Sequence, residues 1–307
     1  MQLYLAPMEG LTTYVFRTAY HHHFTGIDKY FTPFISNRSL TSRERNEILP
    51  EHNQGLCLVP QILTNRAEEF LEIAERIAEY GYDTVNLNLG CPSGTVTAKG
   101  RGAGFLAKPD ELKLFLDTVF EKCPLKISVK TRIGMNSPEE WEGLLALYSA
   151  FPMEELIIHP RLGKDFYAGQ PDLSAYAEAR EALSMPLCYN GDILTPENLA
   201  SLQSLFPGTR RFMLGRGILR TPGLAAELKG EPLSEAALSS ALTAFHQELL
   251  EGYCSIMPGE QPVLYKMKDF WTFLGQGLQA PDKLLKGIKK ATTIAQYRTA
   301  VSRLLEP

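Results

Sequence analysis

Along this chain, short apolar runs rich in β-branched and aromatic residues alternate with longer stretches whose apolar positions recur at helical spacing. LYLAP from Leu3, KYFTPFI from Lys29, LCLVPQI from Leu56, DTVNLNL from Asp83, LKISVKTR from Leu125, ELIIHP from Glu155, PLCYN from Pro186 and RRFML from Arg210 predict eight strands. The clearest helical segment spans 66–80, where Phe70, Ile73, Ala74 and Ile77 share one face and Asn65 is placed as its cap. Others follow Pro109, Ser137, Asp172, Thr195 and Gly217. Eight strands alternating with helices predict an α/β fold, a (β/α)8 TIM barrel, with an open doubly wound sheet as the alternative.

After Gly230 the alternation stops. KGEPLSEAAL reads as a linker, and the chain beyond it is helical, interrupted over 252–262. The predicted organisation is a barrel over 1–232 and a small all-α C-terminal domain over 233–307, for which 307 residues give room.

Composition changes this picture little: 44% hydrophobic and 21% charged residues are ordinary for a globular protein. No apolar run nears the roughly 18 residues of a membrane span, and MQLYLAPMEG lacks the basic start of a signal peptide. A cytoplasmic protein without a membrane partner is expected. Cysteines at 57, 91, 123, 188 and 254 are odd in number and form no CxxC pair, so reduced thiols are expected, and no metal site. Three of them, Cys57, Cys123 and Cys188, suit a role as small buried hydrophobes.

Charge adds more. The net −4 excludes a uniformly basic nucleic-acid binder. Residues 264–307, however, carry Lys266, Lys268, Lys283, Lys286, Lys289, Lys290, Arg298 and Arg303 against Asp269, Asp282 and Glu306, a net +5 that leaves −9 on the rest. That region is either a docking surface for a polyanion or a set of solvated helix faces.

In a parallel barrel the chemistry lies at the C-terminal strand ends. Here those ends carry Pro7-Met8-Glu9, Gln61, Asn88 with Cys91, Lys130 with Arg132, His159 with Arg161, Asn190-Gly191-Asp192, and Gly215-Arg216-Gly217. The last two sets suit a phosphate, through glycines that admit close backbone approach, helix N-termini and the Arg216 charge. Lys130 either meets an anionic or carbonyl-rich ligand or is paired with Asp192 or Glu9. Cys91, in GCPSG, sits in turn chemistry at a strand mouth, where a thiol serves as nucleophile or proton donor. GRGAG at 100–104 lacks dinucleotide-loop spacing and reads as a mobile lid. His21-His22-His23 reads as solvated surface.

Taken together, LAPMEG, Gln61, NLNLGCPSGTV, SVKTRIG, IIHPR, NGD at 190–192, LGRG at 214–217 and YKMKDFWTFL resemble the tRNA-dihydrouridine synthases over nearly the whole chain. The resemblance implies an FMN-dependent barrel that uses NADPH to reduce a uridine of tRNA, with a helical domain that helps hold the RNA. It places Pro7, Met8 and Glu9 against the flavin, Gln61 and Lys130 at its ring edge, and His159 close by. Asn190, Gly191, Asp192, Gly215 and Arg216 would hold its phosphate. Asn88 and Arg132 would contact the target nucleotide, Lys266 and Lys268 the tRNA backbone, and Cys91 would donate the proton; a monomer is implied. The family commonly has His-Gly-Arg-Thr where this chain has His159-Pro160-Arg161-Leu162. Rival readings are a small-molecule FMN barrel of dihydroorotate or enoate reductase type, and a catalytically idle RNA-binding protein.

Overall fold

The computed structural model describes residues 1–305. Nine parallel strands are formed: β1 Gln2–Leu5, β2 Lys29–Phe31, β3 Leu58–Val59, β4 Gln61–Ile62, β5 Thr84–Leu89, β6 Lys126–Arg132, β7 Glu155–His159, β8 Leu187–Asn190 and β9 Arg211–Leu214. Their order is β3-β2-β1-β9-β8-β7-β6-β5-β4. The two ends of that order, β3 and β4, are adjacent in sequence and divided only by Pro60, which has no N–H to give to a ladder. Proline thus splits a single barrel stave, and its carbonyl still accepts from Asn86 N–H at 2.8 Å. The eight predicted strands are therefore all present and the sheet closes on itself, excluding the open doubly wound alternative.

Inside the barrel, Tyr4, Ala6, Phe31, Val59, Ile157, Cys188 and Met213 pack as a core of their own. Beneath them Glu155, the first residue of β7, accepts from Tyr4 OH at 2.8 Å and pairs with Arg211 at 3.0 Å and Lys29 at 3.5 Å. The larger core lies outside, between sheet and helices. Helix Ala67–Ala78 buries the four residues expected of it. Its cap is Arg66 rather than Asn65, whose amide instead donates to the Lys99 carbonyl at 3.1 Å.

Four C-terminal helices follow, Glu235–Ile256, Glu260–Gly277, Asp282–Lys290 and Ile294–Leu305. The expected interruption over 252–262 shrinks to 257–259. Gly252 is a packing residue, since a Cβ there would come 2.5 Å from Val15 Cγ1, and Pro262 fits within a first helical turn, where its missing N–H costs nothing. Phe245 and Phe270 of these helices meet Phe16 edge-on at 5.5 and 6.0 Å between centroids, so the helical region shares the barrel's outer core. The histidine run borders this junction: His21 and His22 are exposed, as the sequence suggests, His23 is half-buried, and His22 and His23 each contact Glu248 at 2.7 Å.

Gly277 closes a second contact. A Cβ there would overlap the Arg220 carbonyl, which ends the short helix Arg216–Arg220 leaving β9. Gly277→Ala is expected to cost about 1–3 kcal/mol by overpacking and to lower the melting temperature by about 2–10 °C in a thermal unfolding scan. No helix among the described residues is long and apolar enough to cross a membrane.

Candidate active site

Strand alternation carries the polar residues at the C-terminal ends into one mouth. Gln61, Asn88, Lys130, Arg132, His159 and Asn190 all line cavities there, while their neighbours Ile62, Leu87, Leu89, Val129 and Ile158 join the outer core.

A chain of side-chain amides organises one side. Asn88 Oδ1 accepts from the N–H groups of Gly90 at 3.0 Å and Cys91 at 2.9 Å, which leaves its Nδ2 to donate to Gln61 Oε1 at 2.7 Å. Gln61 Nε2 then donates to Asn86 Oδ1 at 2.8 Å, and Asn86 Nδ2 to Ser128 Oγ at 2.9 Å, which donates to the Val85 carbonyl at 3.2 Å. Backbone groups at both ends dictate every amide's orientation. Each NH2 makes one of its two bonds here, so Gln61 and Asn88 meet a ligand as donors.

The same chain sets the Cys91 turn. Its N–H is held by Asn88 and its carbonyl by Ala103 N–H at 3.0 Å. The glycine-rich segment that supplies Ala103 is not a mobile lid: Gly102 and Ala103 are buried, and Phe105 is in the core. Gly102 has φ +56°, and a Cβ on it would sit 2.7 Å from the Cys91 carbonyl oxygen, so only glycine fits. Burial raises the Cys91 pKa by more than the Ser93 N–H lowers it, which keeps the thiol protonated at neutral pH. Of the other cysteines, Cys188 is buried and Cys123 half-buried, whereas Cys57 is exposed, against expectation.

Lys130 has neither carboxylate that the sequence left open to it. Asp192 is taken by Arg161 and Arg216, and Glu9 by Arg43. Burial, then the nearby Arg132 guanidinium, push the Lys130 pKa down to about 8. An ammonium in that position calls for an acceptor from outside the chain.

Opposite the amides, Asn190, Gly191, Asp192, Gly215 and Arg216 surround a slot of about 70 Å³. The N–H groups of Gly191, Asp192 and Ile193 donate to no carbonyl among the described residues. The expected helix N-terminus contributes little, because Arg216–Arg220 is a single turn; the charge is that of Arg216 itself. Burial alone would raise the Asp192 carboxyl, but Arg161 and Arg216 hold it below the usual range.

The slot opens into a cavity of about 520 Å³ lined by Gln61, Asn88, Cys91, Arg132, Phe166, Tyr167 and Phe273. Pro7, Met8, Lys130, His159 and Tyr167 line both spaces, so slot and cavity form one cleft, with Glu9 at its outer rim. Phe273 comes from helix Glu260–Gly277, which makes the C-terminal region part of the site.

Three of the expected RNA contacts are otherwise engaged. Arg132 is 1% exposed and donates to the carbonyls of Gly90 at 2.9 Å, Leu162 at 2.7 Å and Phe166 at 2.6 Å. It braces two loops, one of which holds Phe166 at φ +52°, a costly backbone for an aromatic residue. Lys266 donates to the Gly10 carbonyl at 2.7 Å and Lys268 to that of Ala291 at 2.6 Å, and neither lines the cleft. The exposed lysines lie on helix Asp282–Lys290, where Lys283, Lys286 and Lys290 recur at helical spacing beside Lys289.

Sequence reasoning missed Tyr167, over whose ring Arg216 lies at 4.9 Å and Arg132 at 5.6 Å, together with Phe166 and Phe273. The KDFYAGQ loop after β7, with adjacent aromatics in a polar stretch, carried the signal. It also left Arg161 without a role; the structure buries it against His159 and Asp192.

Residues 4–295 match the family described as Dihydrouridine synthase (Dus). A probable tRNA-dihydrouridine synthase of Rhodobacter capsulatus is 27% identical over 97% of this chain and 94% of its own length. A tRNA-dihydrouridine(16) synthase of Shigella flexneri is 29% identical over 75% of this chain and 76% of its own. Among solved structures, the old yellow enzyme homologue of Zymomonas mobilis aligns with a TM-score of 0.55 at 12% identity, covering 77% of this chain and 92% of that one. That last likeness bears on the fold alone.

Proposed function

The chain belongs to the dihydrouridine synthase family, and from that premise we propose that it reduces the C5–C6 double bond of one D-loop uridine in tRNA to 5,6-dihydrouridine, with FMN as cofactor and NADPH as reductant. The observation that carries this reading is a single cleft lined by the Cys91 thiol and by Lys130, whose candidate carboxylate partners are both engaged elsewhere.

The residues present fit a phosphorylated flat cofactor. Among the described residues Lys130 meets no acceptor, Gln61 and Asn88 each keep a free N–H, and three backbone N–H groups beside Arg216 are unpaired. A side chain at Gly215 would narrow the slot, its Cβ falling 3.3 Å from Met8 Sδ. In this reading Asn190, Gly191, Asp192, Gly215 and Arg216 hold the phosphate, and Pro7, Met8, Glu9, Gln61, Lys130 and His159 surround the ring. Bound there, FMN would supply the hydride.

The chain's own residues do the rest. A uridine must leave its stack to enter a cleft of this depth, and Phe166, Tyr167 and Phe273 offer aromatic faces to receive it. Asn88 contributes a donor to the uracil edge, and Arg132 acts by bracing the walls rather than by contact. Cys91 Sγ–H supplies the proton to C5. We further propose that residues 1–232 are catalytic and that 233–307 hold the RNA, chiefly through the exposed lysines of helix Asp282–Lys290, with binding that weakens steeply as salt rises.

The test is expression in a host stripped of its own dihydrouridine synthases, followed by mapping of dihydrouridine across the host tRNAs. Restoration at one D-loop position in a strain making yellow protein is the expected result. Yellow protein with no restored position would move the reading to another RNA or to a small-molecule substrate.

A further inference from the structure

Strand β7 runs into a tight turn at Pro160, where the Arg161 N–H donates to the His159 carbonyl at 2.7 Å. A three-residue turn of this kind needs a central φ near −75°, which the proline ring supplies in advance. The proline carbonyl accepts from Asp172 N–H at 2.7 Å, so the turn is anchored from outside as well. Its effect is to fold the Arg161 side chain back to the Nε2 edge of the His159 ring.

The guanidinium is held on all its edges. Nε donates to the Ala168 carbonyl at 3.2 Å, Nη2 to the Gly169 carbonyl at 2.7 Å and to Asp192, and Nη1 lies 3.0 Å from His159 Nε2. A guanidinium has no lone pair to offer, so this last contact is N–H donated to a bare ring nitrogen. His159 is therefore unprotonated at Nε2. Burial first, and then the groups around the ring, refuse it a second proton: Arg132 and Lys130 from β6, Arg161 beside it and Arg216 after β9 are cationic. The Asp192 carboxylate is shared between two of them, and Tyr167 brings a neutral ring at 6.2 Å. The remaining hydrogen sits on Nδ1, which has no partner among the described residues, on a ring that lines both slot and cavity.

We infer that Arg161, set by the Pro160 turn, is a positioning residue that locks His159 as the neutral Nδ1–H tautomer, so that the cleft meets an N–H donor from this ring. The purpose of that donor rests on the flavin reading above; the tautomer itself is a property of the cofactor-free protein. The His159-Pro160-Arg161 departure from the family's glycine-containing run thus has a physical use.

Long-range proton–nitrogen correlation on 15N-histidine-labelled, cofactor-free protein reads this directly, with the His159→Gln variant assigning the signal. The parent is expected to show His159 protonated at Nδ1 and bare at Nε2 throughout pH 6–9. Arg161→Met should shift the ring toward the Nε2–H tautomer or let it titrate, and Arg161→Lys, which can still donate, should restore the parental pattern in part. With FMN as the probe, the dissociation constant should rise about tenfold in Arg161→Met and recover in Arg161→Lys. An Nδ1–H tautomer that survives Arg161→Met, or an Nε2–H ring in the parent, overturns the proposal. A parent that shows the expected tautomer but binds no FMN leaves Arg161 its role and removes the flavin reading instead.

Discussion

Replacing Cys91 with alanine should lower RNA-dependent turnover about a hundred- to ten-thousand-fold, the usual worth of a positioned proton donor, while the protein stays folded and yellow. Separation of these effects comes from how the residue is held. Both hydrogen bonds that fix position 91 are made by its backbone, to Asn88 Oδ1 at 2.9 Å and from Ala103 N–H at 3.0 Å, and alanine keeps both. What is lost is the Sγ–H, together with the Ser93 N–H contact to the sulfur. Because burial raises the thiol pKa, the parent's activity should stay level through neutral pH and fall only on the alkaline side, as the S–H ionises. NADPH oxidation without RNA should match the parent in Cys91→Ala. A variant that forms dihydrouridine within about threefold of the parental rate would sink the proton-donor role.

Much of this site was legible in the sequence because two periodicities coincide in a barrel. Period-two alternation gave each strand, and the polar residue at each C-terminal end then had one place to go. Gln61, Asn88, Lys130, His159 and Asn190 follow from that rule, and all five line the cleft. What the sequence withheld was partnership. Nothing in SVKTR says that Lys130 is unpaired, whereas Arg132 two residues on spends its guanidinium on three carbonyls. Lys266 and Lys268 looked free for the same reason, since backbone acceptors leave no mark in composition. The glycine segment at 100–104 misled because glycine serves close packing as well as mobility, and Gly102 and Gly104 are there for packing, a Cβ on Gly104 falling 2.7 Å from the Thr97 carbonyl oxygen.

Lys130→Met carries the other large expected effect, and its size shrinks with the ligand. In the cofactor-free parent, Lys130 titrates at about 8, well below an unfolded lysine. As pH falls from about 10.5 toward 8, the unfolded chain takes up a proton that the folded one refuses, so stability drops. Below pH 8 both states are protonated and the cost is constant, about 3 kcal/mol. Methionine follows the lysine stem without the charge, so the cofactor-free variant should melt several degrees above the parent at pH 7. That gain should vanish above about pH 10.5. With FMN present the gap narrows: loss of a charge-assisted donor should weaken binding about ten- to a hundredfold, and the parent, stabilised in proportion to the logarithm of ligand over Kd, regains about 1.4–2.7 kcal/mol of the difference. Melting curves at pH 7 and pH 10, each with and without FMN, test all four arms. A cofactor-free Lys130→Met protein less stable than the parent at pH 7 would mean that the ammonium is satisfied within the chain, and a ligand on the barrel floor would lose its strongest support. The expected narrowing would instead explain why the barrel keeps a destabilising cation at its mouth: the ligand it attracts offsets most of the cost of the charge, and selection acts on the bound state.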